Sequence, residues 1–348
     1  MPKARIILGH GSGGKLSHDL IESLFLPPFT NPILEACDDS AVFPVTDSSK
    51  PFQHQGEPEE RIAFTTDSYV VKPLFWPGGD IGKLAVCGTV NDLAMVGAIP
   101  LYLSAAFVIE EGLPISSLRR IVTSMKRAAK EARVKIVAGD TKVVERGSAD
   151  GLFINTTGVG ILPRGARISG SNAQVGDMII LSGTIGDHGI AVLSEREGLV
   201  FSNNFKSDVA PLNHMVQAML KTSHKIHAMR DPTRGGLATT LKEIAQQSKV
   251  GIQIIEEQIP IREEVAAACE ILGYDPLYVA NEGKVVACVA PEDAERVVQV
   301  MRKTRYGGEA AIIGEVLPEP KARVVMKTKV GGTRIVDMLT GDMLPRIC

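Results

Sequence analysis

The sequence predicts an α+β protein of two domains, and three observations carry that prediction. At 348 residues the chain is about twice the size of a common single domain. Its first half holds long strand-like runs that follow one another with few helices between, which favours α+β layers over a strictly alternating doubly wound sheet. A polar, glycine-rich stretch, LPRGARISGSNAQVGD (162–177), then separates that half from a second one in which strand and helix patterns recur. The expected units are 1–165, 166–338 and a mobile tail at 339–348, where periodicity fades from about Gly341.

In the first unit ARIIL, RIAFTT, LYLSAAFVI, VKIVAG and LFINTTGVGI are β-branched or apolar runs bounded by turn residues, so strands are expected there. Two helices interleave. In PISSLRRIVTSMKRAAKEARV the positions Leu118, Ile121, Val122, Met125, Ala129 and Ala132 recur at helical spacing, and Pro114 and Ser116 suit a helix start. IGKLAVCGTVNDLAMVGA is rich in small residues that permit close backbone approach. In the second unit DMIILSG, GIQIIE, KVVACVA, AAIIGEV and ARVVMK read as strands, and 234–248, 261–272 and 291–304 as helices. The segment SSKPFQHQGEPEE (48–60) reads as a polar hairpin or loop insertion.

Composition narrows the class. Apolar residues make up 44% and charged residues 22%, with a net charge of −2. That balance supplies ample core and no general attraction to nucleic acid. No apolar run approaches the roughly 20 residues of a membrane span, and no signal-peptide pattern opens the chain. Cys37, Cys87, Cys269, Cys288 and Cys348 are scattered without a C-x-x-C pair, which argues against a zinc site or disulfide framework and for a reducing, cytoplasmic setting. Cys348 is the last residue, so it is no prenylation box.

Several motifs point to chemistry. GHGSGGK (9–15) offers Gly11, Gly13, Gly14 and Lys15 as a phosphate cradle, although the Walker A spacing is absent and a plain flexible loop fits equally. Acidic residues interrupt apolar contexts at strand ends: Asp38 and Asp39, Asp67, Asp92 beside Asn91, Asp140 near Lys142, and Asp231. Any one of them suits a cap or turn. Together they suit magnesium, a hard cation that bridges nucleotide phosphates. Two glycines open a helix in DPTRGGLATTLKEI, another candidate anion site. Glu282 in YVANEGKVVACV is placed either as a general base or as a solvated turn residue. The histidines form no catalytic pattern; His188, in a glycine-rich turn, stays an open candidate. No G-x-S-x-G elbow is present.

Taken together, GHGSGGK, DDSAVF, TTDSYVV, GTVNDLAMVGA, AGDTKVV, RDPTRGGLA, ANEGK and the terminal PRIC resemble the HypE family of hydrogenase maturation proteins, carbamoyl dehydratases of the PurM-like (aminoimidazole ribonucleotide synthetase-like) ATP-binding superfamily. The likeness runs from residue 9 to 348 in order, and PRIC narrows it to this member. It implies a two-domain fold with mixed sheets flanked by helices, and a homodimer formed through the N-terminal domains. It implies ATP and Mg2+, with Asp39, Asp67, Asp92 and Asp231 as metal-facing acids and Asp38 and Asp140 supporting or bridging them. It implies that Cys348 receives a carbamoyl group from the carbamoyltransferase HypF. ATP then drives dehydration of the S-carboxamide to an S-cyanate, and a HypC–HypD iron scaffold accepts the cyanide for [NiFe] hydrogenase. Glu282 then matches the base at the carboxamide nitrogen, Lys142 the lysine at the carboxamide end, and Asn91 a hydrogen-bonding partner of the same group. Burial is expected to raise the Glu282 pKa. For Cys348 the adjoining carboxylate raises the thiol pKa and Arg346 lowers it. The nine residues from Thr340 to Cys348 span at most roughly 30 Å when extended, enough to enter a cleft and leave it. Another small-molecule kinase or synthetase of the superfamily, or an ATP-switched adaptor, are the competing readings.

Overall fold

The computed structural model describes residues 5–45, 60–199, 206–339, 344, 346 and 347. Among them the first unit builds a five-stranded sheet. Its strands are β1 (Ala41–Pro44), β2 (Arg61–Tyr69), β5 (Ile99–Glu110), β6 (Lys135–Val144) and β7 (Leu152–Ile161), in the order β1-β2-β7-β5-β6. All neighbours are antiparallel except β5 and β6. A small hairpin, β3 (Phe75–Trp76) and β4 (Gly79–Asp80), leads into helix α3 (Ile81–Met95).

β7 shows how the sequence sets the two faces of this sheet. Leu152, Ile154, Thr156, Gly158 and Gly160 are buried, while the residues between them are only partly covered. The buried set faces α3, which is enclosed on almost every side and so lacks an amphipathic pattern. Its small residues admit this packing: a Cβ on Gly88 would stand 2.3 Å from the Tyr69 hydroxyl, and one on Gly82 2.6 Å from the Ile121 carbonyl. Asp80 caps the helix, accepting from the Gly82 and Lys83 N–H groups at 2.8 and 3.0 Å. α4 (Ile115–Ala132) covers α3 with Ile121, Met125, Ala128, Ala129 and Ala132. Val122, expected on that face, is 48% exposed, because it sits just beyond the edge of the stripe that Ile121, Met125, Ala128, Ala129 and Ala132 form.

The opposite face of the sheet is open. Phe64, Ile99, Tyr102 and Ile161 lie on it, 42–47% exposed, and nothing among the described residues covers them.

After the predicted linker, the second unit forms a seven-stranded mixed sheet of β8 (Met178–Leu181), β9 (Ile226–Arg230), β10 (Gly251–Ile255), β11 (Val286–Val289), β12 (Ala311–Leu317), β13 (Arg323–Lys327) and β14 (Thr333–Val336). Their order is β14-β13-β10-β12-β8-β11-β9. Both faces are covered. Ile179 and Leu181 pack with Leu237, Leu241 and Ile244 of α7 (Gly236–Gln247), while Ile180 packs with α6 (Asn213–Thr222) and α9 (Pro291–Arg302). α5 (Asp187–Glu197) and α8 (Glu263–Leu272) share a core with α3 and α4, so the two units are joined by one apolar cluster.

One expectation needs correction. ARIIL is not a strand among its described residues: Leu8–Gly11 is a 3-10 turn, and Ile6, Ile7 and Leu8 are 57–71% exposed, with no partner strand to make them β. The sequence patterns do not disclose α5, α6, β9 and the edge strands β1 and β14. The tail's described residues are docked in this structure: Leu344 and Ile347 are buried in the shared core. Most of the 48–60 segment lies outside the described residues, as does Cys348.

Candidate active site

The helical start after the glycine loop is α1 (Lys15–Leu20), followed by a wide turn at Ile21–Phe25 and a short α2 (Leu26–Phe29). The loop is pinned by backbone. Lys15 N–H donates to the Leu339 carbonyl at 2.9 Å, and a Cβ on Gly14 would meet that same oxygen at 2.2 Å. Gly13 has φ +74, and a Cβ added there would stand 2.7 Å from Cβ of Arg234, so both conformation and space demand glycine. Arg234 donates to the Gly11 carbonyl at 3.2 Å and also bears electrostatically on Asp67 and Glu282, so one arginine links the loop to the carboxylates.

Those carboxylates come from four places in the chain. Asp39 precedes β1, Asp67 lies on β2, Asp92 on α3, and Asp231 follows β9. The Thr65 hydroxyl stands 2.9 Å from Asp92 Oδ2 and 3.1 Å from the Asp39 carbonyl, tying β2 to both. Burial raises all four carboxyls. Asp39 is pushed up to about 6 even with Arg230 Nη1 2.8 Å away. Burial and then the charges of Asp231, Asp67 and Asp39 push Asp92 well above the usual range. Asp231 is pushed likewise by burial and then Asp39. Asp67 rises through burial, with Arg234 opposing. Among the described residues no three His, Cys, Asp or Glu side chains stand close enough to cage a metal by themselves.

Glu282 joins this group from the turn before β11. Its carboxyl is 3% exposed, and Oε1 has no hydrogen-bond partner among the described residues. Burial, then Asp231, Asp208 and Asp67, push it well above the ordinary glutamate value, with Arg234 offsetting. The turn is held from beneath. Asp208 accepts from the Glu282 and Gly283 N–H groups at 3.1 and 3.3 Å and from Lys284 Nζ at 3.0 Å. Burial alone would raise Asp208, but the Lys284 charge and the Glu282 N–H outweigh it and hold the carboxyl low. Asn281 ties this turn to the RDPTRGG turn through the Pro232 carbonyl at 2.9 Å and accepts from Gly186 N–H at 2.7 Å. Asp208, Asn281 and Arg230 carry no signal in the sequence, because they act on groups that only the fold brings to them.

The other expected residues are placed as follows. Asn91 spends its amide on backbone: it donates to the Ala210 carbonyl at 3.1 Å and accepts from Leu212 N–H at 2.8 Å, with the Glu282 carbonyl 3.4 Å away. Asp38 accepts from Gly170 N–H at 2.7 Å and Ser169 at 3.1 Å, clamping the linker rather than facing the cluster. Asp140 and Lys142 are exposed and pair with each other at 3.2 Å. Register puts them away from the cluster. Asp67 aligns with Thr156, Thr156 with Ala105, and Ala105 with Gly139, so Asp140 and Lys142 fall on the open face, about 14 Å across the sheet.

The two mixed sheets fall in the two domains of the AIR synthase related proteins. The N-terminal and C-terminal domain models of that family match residues 37–162 and 174–327. Within it the chain belongs to the HypE carbamoyl dehydratase family. It is 53% identical to the carbamoyl dehydratase HypE of Azotobacter vinelandii over 339 residues, 97% of this chain and 96% of the relative. It is also similar to a chain of a solved HypE–HypF complex, with TM-score 0.84, 52% identity and coverage of 92% of this chain and 99% of that one. A HypE solved in complex with ATP matches with TM-score 0.81 and 48% identity, covering 99% of this chain and all of that one.

Proposed function

We propose that this chain uses ATP to dehydrate a carboxamide carried on the sulfur of Cys348, giving the S-cyanate that supplies cyanide to the iron of [NiFe] hydrogenase. The carrying observation is Glu282: a buried carboxyl with a raised pKa and an unpartnered oxygen, within electrostatic reach of Asp231, Asp67 and Arg234, the arginine that also bonds the glycine loop. The reaction needs the amide oxygen converted to a phosphate leaving group, with ADP released and one proton lost from nitrogen, and then the second proton taken from nitrogen as phosphate departs. Glu282 accepts that proton; its raised pKa makes it a stronger base than a solvated glutamate. The Gly11, Gly13, Gly14 and Lys15 segment holds the phosphates over the acids.

Mg2+ fits the donor set. Asp39, Asp67, Asp92 and Asp231 are hard oxygen ligands whose mutual repulsion a cation relieves. One or two of them with phosphate oxygens and water satisfy magnesium without a three-residue cage. When bound it neutralises charge on the transferring phosphoryl group.

Lys142 serves the carboxamide end only if a second copy supplies it, since within one chain it sits on the far face. The open face carrying Phe64, Ile99, Tyr102 and Ile161 suits a homodimer through the N-terminal sheet. The proposed partners are HypF as carbamoyl donor and a HypC–HypD scaffold as cyanide acceptor, in the cytoplasm; no described helix is long and apolar enough to cross a membrane. The test is intact-mass measurement with transferase, carbamoyl donor and ATP, using Cys348→Ala as control: the variant is expected to take up no carbamoyl group. A variant that still yields cyanide-ligated iron would overturn the proposal.

A further inference from the structure

The docked end of the chain is held at four points. Arg346 Nε donates to the Val70 carbonyl at 3.1 Å, and its guanidinium pairs with Asp150. The Arg346 carbonyl accepts from Lys72 N–H at 3.1 Å and from Arg196 at 2.6 Å. The Ile347 side chain is 5% exposed in the core shared by α3, α4, α5 and α8. Its carbonyl, one peptide bond from Cys348, lies 2.6 Å from Nε2 of His188.

His188 is completely buried at the start of α5, with Trp76 edge-on at 5.6 Å between ring centroids. A carbonyl only accepts, so Nε2 carries the proton. Nδ1 stands 2.8 Å from Ser207 Oγ, which itself accepts from Val209 N–H at 3.2 Å. Burial lowers the His188 pKa, outweighing Asp208 and the carbonyl, so the ring is neutral and Nδ1 accepts from the Ser207 hydroxyl. The bonds run in one direction, from Val209 to Ser207 to His188 to Ile347, and they fix the tautomer.

We propose that His188 is a positioning residue that grips the chain by the carbonyl next to Cys348 and so sets how often the end of the chain detaches from this seat. Arg346 and Ile347 are read by side chain, and His188 reads the backbone at the last point before the carrier sulfur. A carrier must be released to its partners and recaptured for dehydration, and one hydrogen bond at this position tunes that exchange without altering the fold. The meaning of the grip rests on Cys348 being the carrier, but the test reads thiol exposure alone, so failure of one is distinguishable from failure of the other.

The test is the alkylation rate of the Cys348 thiol by iodoacetamide in the full-length protein, read by peptide mass spectrometry. His188→Phe keeps a ring against Trp76 and removes the donor, whereas His188→Gln restores an N–H. Loss of one hydrogen bond is expected to speed alkylation of Cys348 about fivefold in His188→Phe. His188→Gln is expected to stay near the wild-type rate. Buried Cys87, Cys269 and Cys288 report on the fold and are expected to stay unreactive. An unchanged rate in His188→Phe, or equal acceleration in both variants, overturns the proposal. If His188→Phe exposes the buried thiols, Ser207→Ala decides: faster labelling of Cys348 alone supports the grip, and no change overturns it.

Discussion

Asp92→Asn is expected to make the nucleotide-free protein more stable at neutral pH while abolishing its chemistry. Asp39 sets the scale. Its carboxyl stands at about 6 against an ordinary 3.8, a rise of roughly two units, or about 3 kcal/mol once it must ionise. Arg230 already relieves Asp39; Asp92 is pushed well above the usual range by burial and three acids, and the causes acting on it include no cation. Its penalty has the same sign and the same leading cause, burial. Asparagine removes the charge but leaves amide hydrogens to satisfy, so the net gain is expected at about 1–3 kcal/mol. The sign follows from proton uptake. In the window above the unfolded carboxyl value and below the raised folded one, the folded state holds more protons, so stability falls as pH rises. Urea unfolding between about pH 5 and 8 reads both effects. Wild type is expected to weaken with rising pH, and Asp92→Asn to weaken less and to exceed it at about pH 7.5. A variant that is less stable at about pH 7.5, or that keeps the wild-type slope, would refute the electrostatic reading of the cluster.

Further outcomes follow from the same geometry. Glu282→Gln is expected to slow single-turnover dehydration about 10²–10⁴-fold. The wild-type rate should rise with pH through an ionisation above the ordinary glutamate value, and that rise should vanish in the variant. Gly14→Ala drives a Cβ against the Leu339 carbonyl and should weaken ATP binding about tenfold by calorimetry, with the unfolding midpoint little changed. Mg2+ with ATP should raise the thermal midpoint of wild type more than that of Asp92→Asn, and chelation should erase the difference. Mixing inactive Asp67→Asn and Lys142→Ala chains should restore part of the dehydration rate if each site draws on two copies; no recovery would count against a shared site.

The parts of the fold legible in the sequence were amphipathic helices and runs of β-branched or apolar residues, whether covered on one face or on both. Leu152–Ile161 alternates because α3 covers only one side of it, and Ile115–Ala132 shows a helical stripe because its outer side meets solvent. α5 was obscured because Gly186 starts it in a left-handed conformation without a side-chain cap, and eight of its residues are buried. ARIIL misled because a β-branched run is a strand only when another strand receives it. The acids stood out because charge in an apolar run is costly, so Asp67, Asp92 and Glu282 were visible as candidates. Their supports were not: Asp208 and Asn281 hold backbone groups from segments distant in sequence. Period alone could not say that Asp140 and Lys142 point to the open face, since face is set by register across three strand pairs. The tail motif marked Cys348, but the seat for Arg346 and Ile347 exists only where β2, α5 and the 150 turn meet.

The most direct measurement is the mass of the C-terminal peptide after carbamoylation, before and after ATP. The expected result is an adduct on Cys348 that loses one water in wild type and persists unchanged in Glu282→Gln. Carbamoyl-Cys348 that survives ATP intact in the wild-type protein, or dehydrates equally in the variant, would contradict a body built to turn that cargo into a nitrile.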